Sequence, residues 1–200
     1  MERITEKYNV IVIGGCSATG KTFVSKYLSE KFGYKIIKVD DIRFFMQHIL
    51  DEESFPFFFE LFSFKPESIL NSPIELLLNS YIKIGQFLAP GINSLIDKYA
   101  SKENAKVVIE GIDIYPKFLE INHLANVKPI FLFDDLENLV ERNRKRKRSN
   151  FPDEYYAKES EVQFELGKII AKQAKESNMT TIKSSPIQTL CERVALEIQK

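Results

Sequence analysis

Eight consecutive residues near the start of the chain have the types and the spacing of a phosphate-binding loop. They follow the pattern G-x-x-x-x-G-K-[ST] and lie between an apolar, β-branched run and a helical pattern, which is the context that the motif requires. These residues are Gly15, Cys16, Ser17, Ala18, Thr19, Gly20, Lys21 and Thr22. Glycines let consecutive amides turn inward and the helix N-terminus adds partial positive charge, so such a loop holds several phosphate oxygens. The sequence therefore predicts nucleotide binding, with Lys21 contributing a full charge and Thr22 a hydroxyl ligand for Mg²⁺.

Cys16 lies inside this loop. We interpret it as a small residue that fills space, with redox regulation of the loop as the alternative. The dipole of the following helix is expected to lower the pKa of its thiol.

Acidic residues follow two later strands of the predicted sheet. Asp40, Asp41 and Arg43 come after the second strand, and Glu110 and Asp113 come after the third. Because parallel strands end at one edge of a sheet, these side chains are expected beside the phosphate loop. One carboxylate can orient a substrate hydroxyl for attack on a γ-phosphoryl group while another holds a hydrated metal ion. The alternative is that strand-end acids are solvated or cap the following helix.

A basic run follows the fourth predicted strand, at the end of a helical pattern. Its members are Arg142, Arg144, Lys145, Arg146, Lys147 and Arg148. Arg142 and Arg146 are four residues apart and share one face of the helix. They are predicted to belong to a mobile lid over about 136–155 and to bind the negative charge of the phosphoryl group during its transfer. A solvated basic face and contact with nucleic acid remain the alternatives. The absence of interleaved aromatic residues argues against nucleic acid.

The elements that must position these residues alternate between strand and helix. Short β-branched or apolar runs predict five strands, at 8–13, 35–39, 106–109, 129–133 and, more weakly, 179–183. Helical stretches between strands imply crossover connections, so the class is α/β with a parallel sheet covered on both faces. The interval 42–100 contains no convincing strand and predicts an all-helical insertion between strands two and three.

Composition limits what the chain can be. Its 200 residues (23.2 kDa) are 44% hydrophobic, which predicts one folded domain, 1–200. Its formal net charge is +0, so no overall positive charge attracts the chain to nucleic acid or to anionic membranes. Two cysteines, no apolar run long enough to cross a bilayer and no signal-peptide pattern predict a cytoplasmic protein. Switch GTPases are excluded because D-x-x-G and N-K-x-D are absent.

Four segments together resemble the phosphate-loop kinases of small metabolites, most specifically the 2-phosphoglycerate kinase group. They are GGCSATGKT from Gly14, VDDIR from Val39, VVIEGIDIYP from Val107 and FLFDDLENLVERNRKR from Phe131. The pairing of an Asp-x-Ile-Arg segment with an Ile-Glu-Gly segment is fairly specific, whereas the phosphate loop alone is not. The resemblance implies a nucleoside-monophosphate-kinase-like fold, ATP as the phosphoryl donor and Mg²⁺.

The resemblance also implies roles for residues at matched positions. Asp40 and Arg43 lie on the acceptor side, Glu110 lies near the metal or the acceptor, and Arg142 and Arg146 belong to the lid.

Two departures concern the acceptor. The family usually has Gly-Val-His after its strand-three glutamate, where this chain has Gly-Ile-Asp ending in Asp113, an anion that an acceptor phosphate finds less welcome. The C-terminal helix, about 155–175, also lacks the arginine expected in the family.

The sequence thus predicts an ATP-dependent kinase that acts on a hydroxyl of a small metabolite, and the resemblance implies a 2-phosphoglycerate-like acceptor. A nucleoside or nucleotide kinase is the first alternative. A nucleotide-binding regulatory or nucleic-acid-associated protein without transferase activity is the second. The sequence does not decide between a monomer and a homodimer, and it predicts no membrane partner.

Overall fold

Five parallel strands form one sheet at the centre of the molecule. A computed structural model describes residues 7–60, 66–146 and 151–200, with the side chains of residues 66–68 and of residue 60 left aside. The strands are β1 (Val10–Gly15), β2 (Lys35–Lys38), β3 (Val107–Glu110), β4 (Val127–Phe133) and β5 (Thr180–Lys183). Their order across the sheet is β2-β3-β1-β4-β5. The predicted α/β class with a five-stranded parallel sheet is confirmed.

Helices connect the strands and cover both faces of the sheet. They are α1 (Lys21–Phe32), α2 (Val39–Ile49), α3 (Pro56–Glu60), α4 (Pro66–Asn71), α5 (Ile74–Ala100), α6 (Leu136–Arg146), α7 (Asp153–Glu176) and α8 (Leu190–Gln199). The described residues between β2 and β3 are therefore helical wherever they form regular structure, as the sequence predicts for the insertion.

Alternation along β1 divides the apolar core into two layers. Val10 and Val12 pack into the layer that holds α5 and α7, whereas Ile11 and Ile13 pack into the layer that holds α1 and α8. Every residue of β1 is buried, because this strand lies between β3 and β4. The central position of β1 places the loop that follows it at the middle of one sheet edge.

The strand register aligns the segments that carry the predicted site. Ile13 of β1 and Lys38 of β2 are both the partners of Glu110 in β3. β2 and β3 therefore end at the level of Ile13, and Gly15, Asp40 and Gly111 all follow within two residues of that level. This alignment follows from parallel pairing and requires no side-chain contact.

The second strand is shorter than predicted. Val39 begins α2 instead of ending β2, so Asp40 and Asp41 lie in the first turn of a helix. Carboxylates are favourable there because the helix dipole is positive at its N-terminus. Helix formation also projects Arg43 from α2, one turn after Asp40.

Two predicted segments extend beyond the described residues. The insertion at 42–100 includes residues 61–65, and the lid at about 136–155 includes residues 147–150, which contain Lys147 and Arg148 of the basic run. Within the described ranges, no helix combines the length and the apolar character needed to cross a membrane.

Candidate active site

The phosphate loop is a tight connection between β1 and α1. Gly15 has φ of 135°, and a Cβ at this position would lie 2.3 Å from the carbonyl oxygen of Leu132 on β4. Positive φ values recur at Ala18 (62°) and Gly20 (86°), the latter directly before α1. The backbone thus curls into the amide-rich conformation that the motif predicts.

Side chains bind the carbonyl groups of the loop. The Lys21 Nζ donates to the Cys16 carbonyl at 2.8 Å, and the Ser184 Oγ donates to the Thr19 carbonyl at 2.7 Å. Arg142 donates to the carbonyl of a third loop residue, Ala18, at 3.0 Å. With these oxygens bound, the loop conformation is fixed before any ligand arrives.

Lys21 is a buried cation surrounded by acids. Burial lowers the pKa of its ammonium group, while the charges of Asp40 and Glu110 oppose that shift. Its side chain is 8% exposed. A cation held in such a site interacts strongly with phosphate because little water screens it.

Thr22 and Glu110 are joined by a hydrogen bond. The Thr22 Oγ1 donates to the Glu110 Oε1 at 2.9 Å, across the interface between α1 and β3. Burial raises the pKa of Glu110, and the Lys21 charge and the Thr22 hydroxyl oppose this rise. A hydroxyl and a carboxylate are the hard oxygen ligands that Mg²⁺ takes beside nucleotide phosphates, so these two predicted metal ligands fit the ion chemically.

Asp40 is exposed in the first turn of α2 and lies within electrostatic reach of the site. Its charge raises the pKa of Lys21 and contributes to the raised pKa values of Glu110 and Asp113. The structure therefore brings Asp40 near three of the predicted site residues. A solvent-accessible carboxylate beside the phosphate loop can accept a hydrogen bond from an incoming hydroxyl.

Arg43 and Asp113 form an ion pair on the same side of the loop. The Arg43 Nη1 lies 3.1 Å from the Asp113 Oδ2, and Asp113 is completely buried. Burial raises the pKa of Asp113 to about 6, with the Arg43 charge acting in the opposite direction. The hydroxyl of Tyr115, two residues further along, is buried and has no hydrogen-bond partner in the part of the chain that the structure describes.

Arg142 and Arg146, the two arginines predicted to belong to the lid, differ in their surroundings. Arg142 binds Asp134 at 2.5 Å and the Ser185 hydroxyl at 2.9 Å, in addition to its loop contact. Arg146 approaches the Ser17 hydroxyl at 3.5 Å. Arg142 is thus held between α6, β4 and the segment after β5, and clamping a phosphoryl group would require these bonds to be exchanged.

The expectation of a lowered thiol pKa at Cys16 is wrong. Burial raises the pKa of this thiol to about 11, and the charge of Lys21 offsets only part of the rise. Cys16 is fully buried, so loss of hydration outweighs the helix dipole. The thiol is protonated at neutral pH and acts as a packing residue, which disfavours the redox alternative.

Sequence reasoning missed several polar residues of the site. The Ser17 amide donates to the Gln163 Oε1 of α7 at 2.8 Å, and the Gln163 Nε2 donates to the Tyr81 hydroxyl of α5 at 3.0 Å. Asp134, within the segment FLFDDLENLVERNRKR, was not among the predicted site residues, yet it binds Arg142. No local signal could have found Gln163 or Tyr81, because each lies within an amphipathic helix far from the loop in sequence.

Curated relatives support the resemblance found in the four motifs. The chain is 23% identical over 197 residues to a 2-phosphoglycerate kinase of Pyrococcus horikoshii, with 96% of this chain covered. It is 26% identical over 209 residues to a 2-phosphoglycerate kinase of Methanococcus maripaludis (strain C6), with 98% covered. The chain spans 64% and 66% of the lengths of these two relatives. No protein-family model matches the chain.

Solved structures resemble the whole described architecture. A shikimate kinase from Acinetobacter baumannii in complex with shikimate is 17% identical, with 96% of this chain and 92% of that chain covered and a TM-score of 0.51. A gluconokinase from Sinorhizobium meliloti 1021 is 16% identical, with 97% and 92% covered and a TM-score of 0.54. The chain has the P-loop NTPase fold. In this fold, the loop after β1, the start of α2 and the end of β3 meet at one sheet edge, where the site residues lie.

Proposed function

We propose that this P-loop protein is an ATP-dependent kinase that transfers the γ-phosphoryl group to a hydroxyl of a small metabolite. The observation that carries the proposal is the convergence of Lys21, Asp40 and Glu110 at the edge of the sheet, with Glu110 hydrogen-bonded to Thr22 at 2.9 Å. A nucleotide-binding loop alone requires no exposed carboxylate beside it. A phosphotransferase requires one to orient the attacking hydroxyl.

On the donor side, the loop amides and Lys21 bind the phosphates of ATP. Thr22 and Glu110 would hold Mg²⁺, and the ion would neutralise charge on the phosphates. The buried position of Lys21 strengthens its interaction with phosphate, because water screens it weakly. Arg146, close to the Ser17 hydroxyl, contributes a second cation near the transferring group.

On the acceptor side, Asp40 positions the hydroxyl, and Arg43 contacts the rest of the molecule. Asp113 holds the Arg43 guanidinium in place through the 3.1 Å ion pair. The Tyr115 hydroxyl, which has no hydrogen-bond partner among the described residues, is a further polar group in this region. Catalysis then consists mainly of positioning and charge neutralisation.

The names of the relatives favour a hydroxy acid as the acceptor. The curated relatives are named 2-phosphoglycerate kinases, and the two solved structures are a shikimate kinase and a gluconokinase. A carboxylate on the acceptor suits the Arg43 guanidinium. Asp113 disfavours an additional phosphate on the acceptor, because its negative charge lies beside the same cation.

An acceptor screen tests the proposal. The full chain is incubated with Mg·ATP and, one at a time, 2-phosphoglycerate, glycerate, shikimate, gluconate and a set of nucleosides, and ADP release is measured. Acceptor-dependent ADP release with one of the hydroxy acids is expected, and it should be lost in Lys21→Ala. Release with nucleosides only would favour a nucleoside kinase. Binding of Mg·ATP in calorimetry without release for any acceptor would favour a regulatory nucleotide-binding protein.

A further inference from the structure

We propose that Tyr81 binds the acceptor substrate through its hydroxyl proton and that Gln163 is the residue that positions Tyr81 relative to the phosphate loop. This inference rests on the proposed kinase function and adds two residues to its acceptor side. Neither residue belongs to the motifs that relate the chain to kinases. The Ser17 amide, Gln163 and Tyr81 form a continuous hydrogen-bonded connection, which we call the Gln163 bridge.

The polarity of the Gln163 bridge is determined by the backbone. A backbone amide can only donate, so the Gln163 atom that faces Ser17 at 2.8 Å must be the carbonyl oxygen. The other end of the side chain is then the NH₂ group, which can only donate and lies 3.0 Å from the Tyr81 hydroxyl oxygen. The opposite amide orientation would bring two donors together at Ser17. Gln163 therefore has a single orientation compatible with its neighbours.

This polarity assigns a role to the Tyr81 hydroxyl. Its oxygen accepts from Gln163, so its proton is left to be donated to another group. Burial raises the pKa of Tyr81, which keeps the phenol protonated at neutral pH. Tyr81 is therefore a hydrogen-bond donor whose direction is set by Gln163.

The Tyr81 hydroxyl lies on the acceptor side of the site. Helix packing places Tyr81 beside the Arg43–Asp113 ion pair, because a Cβ at Gly85, one turn after Tyr81 on α5, would lie 2.9 Å from the Asp113 carbonyl oxygen. Burial raises the pKa of the Tyr81 hydroxyl, and the charges of Glu159, Arg43 and Asp113 also influence it. Arg43 comes from α2, Asp113 follows β3 and Glu159 lies one turn before Gln163 on α7. A donor among these elements lies near the region where the acceptor must lie if Asp40 orients its hydroxyl.

Close packing holds both ends of the Gln163 bridge. Gly167 lies one turn after Gln163, and a Cβ there would be 3.1 Å from the Cys16 sulfur, so α7 presses directly on the loop. Gly85 lies one turn after Tyr81, and a Cβ there would be 2.3 Å from the ring of Tyr115. Side chains at these glycines would push the helices away from the site. The spacing between Ser17 and Tyr81 is thus maintained by the backbones of α5 and α7.

The chemistry of the bridge indicates what Tyr81 recognises. A neutral phenol donor bonds an oxygen atom of the acceptor, such as a second hydroxyl or a carboxylate oxygen. Because the bridge connects that contact to the loop that holds the donor phosphates, it fixes the distance between the acceptor and the transferring group. A displacement of the acceptor hydroxyl by about 1 Å can lower the rate of phosphoryl transfer by about 100-fold.

Steady-state kinetics on the full chain test the inference, using whichever hydroxy acid the wild type phosphorylates. Tyr81→Phe removes the donor, and we expect the acceptor KM to rise about tenfold while the Kd of Mg·ATP changes less than about twofold, as for the loss of one hydrogen bond. Gln163→Leu should raise the acceptor KM about threefold to tenfold. The double variant should resemble Tyr81→Phe within about twofold, because Gln163 acts through Tyr81.

Two control variants make the same substitutions elsewhere on the same helices. Tyr99→Phe lies near the C-terminal end of α5, and Gln173→Leu lies near the C-terminal end of α7. Both should retain the wild-type acceptor KM. Circular dichroism and the thermal midpoint of each variant separate a folding defect from a binding defect.

The outcomes distinguish this inference from the proposed function. If the wild type phosphorylates no acceptor, the proposed function fails before the variants are compared. If the wild type is active and a folded Tyr81→Phe keeps the wild-type acceptor KM, the role of Tyr81 is overturned. If the effects of Tyr81→Phe and Gln163→Leu multiply in the double variant, Gln163 does not act through Tyr81, and the positioning role is overturned.

Discussion

The hydroxyl of Thr22 donates a 2.9 Å hydrogen bond to the carboxylate of Glu110. This contact connects the first turn of α1 to the last residue of β3, two elements that lie side by side because β1 and β3 pair in parallel. Glu110 is only 3% exposed, and burial raises its pKa against the opposing effects of Lys21 and Thr22. A bound cation would relieve the cost of keeping this carboxylate charged.

Glu110→Gln should therefore weaken the response to Mg²⁺. We expect the Mg²⁺ concentration for half-maximal activity to rise at least about tenfold, because a charged oxygen ligand is replaced by a neutral one. The measurement is a magnesium titration at saturating ATP, repeated with Glu137→Gln, an exposed glutamate of α6, as the control. The Mg²⁺ concentration for half-maximal activity of the wild type should also rise as pH falls, and should begin to rise at a higher pH than for an ordinary glutamate, since burial raises the pKa of Glu110 and protons compete with the ion. An unchanged titration curve for Glu110→Gln would remove Glu110 from the metal site.

Lys21→Ala should abolish turnover. The substitution deletes a buried cation and the hydrogen bond to the Cys16 carbonyl, so both phosphate binding and the loop conformation suffer. Acceptor-dependent ADP release measures the effect, and Lys26→Ala on the exposed face of α1 is the matched control. A Lys21→Ala protein that is folded and active would contradict the mechanism.

Asp40→Asn should separate binding from transfer. The amide keeps the size of the side chain but cannot accept a proton, so kcat should fall by about 100-fold to 10,000-fold. The Kd of Mg·ATP should change little, as measured by calorimetry. Asp41→Asn, the adjacent carboxylate in the same helical turn, should keep nearly wild-type kcat. Equal losses in the two variants would show that Asp40 has no special role.

Asp113 should make the protein less stable as pH rises from about 4 to about 6. Its pKa is raised from 3.8 to about 6, mainly by burial, so within this window the folded protein retains a proton that the unfolded chain has released. The unfolding free energy therefore falls with increasing pH, by about 3 kcal/mol in total from this group, and levels off above pH 6.

Urea unfolding at a series of pH values measures this effect. Asp113→Asn should flatten the dependence between pH 4 and pH 6, whereas Asp41→Asn should leave it as in the wild type. The idea fails if a folded Asp113→Asn protein shows the wild-type slope. The same carboxylate pairs with Arg43, so the variant also reports on the acceptor side through its KM.

Much of the donor side could be predicted from the sequence. The phosphate loop is a contiguous motif, and its strand and helix neighbours were recognisable from local apolar patterns. The acids after β2 and β3 could be placed at the same edge because parallel strands end together. The structure adds that Val39 starts a helix, a boundary that local propensity leaves undetermined.

The acceptor side could not be predicted in the same way. Gln163 and Tyr81 lie on helices whose sequences show only amphipathic periodicity, so neither stood out from its neighbours. The predicted direction of the Cys16 pKa shift was wrong. Burial, a property of the folded environment, raises the pKa and outweighs the effect of the helix dipole that the position in the sequence suggested.

Residue types and their spacing were enough to predict the elements whose chemistry is local: a phosphate loop at residues 15–22, an alternation of strands and helices, and acids after two strands. Which distant residues share the site depends on how the helices pack against the sheet. Ser17 and Gln163 are 146 residues apart, Thr22 and Glu110 are 88 apart, and Arg43 and Asp113 are 70 apart. The physical reason is that hydrogen bonds and ion pairs depend on distances of about 3 Å, which helix packing sets and which no local pattern of residues encodes.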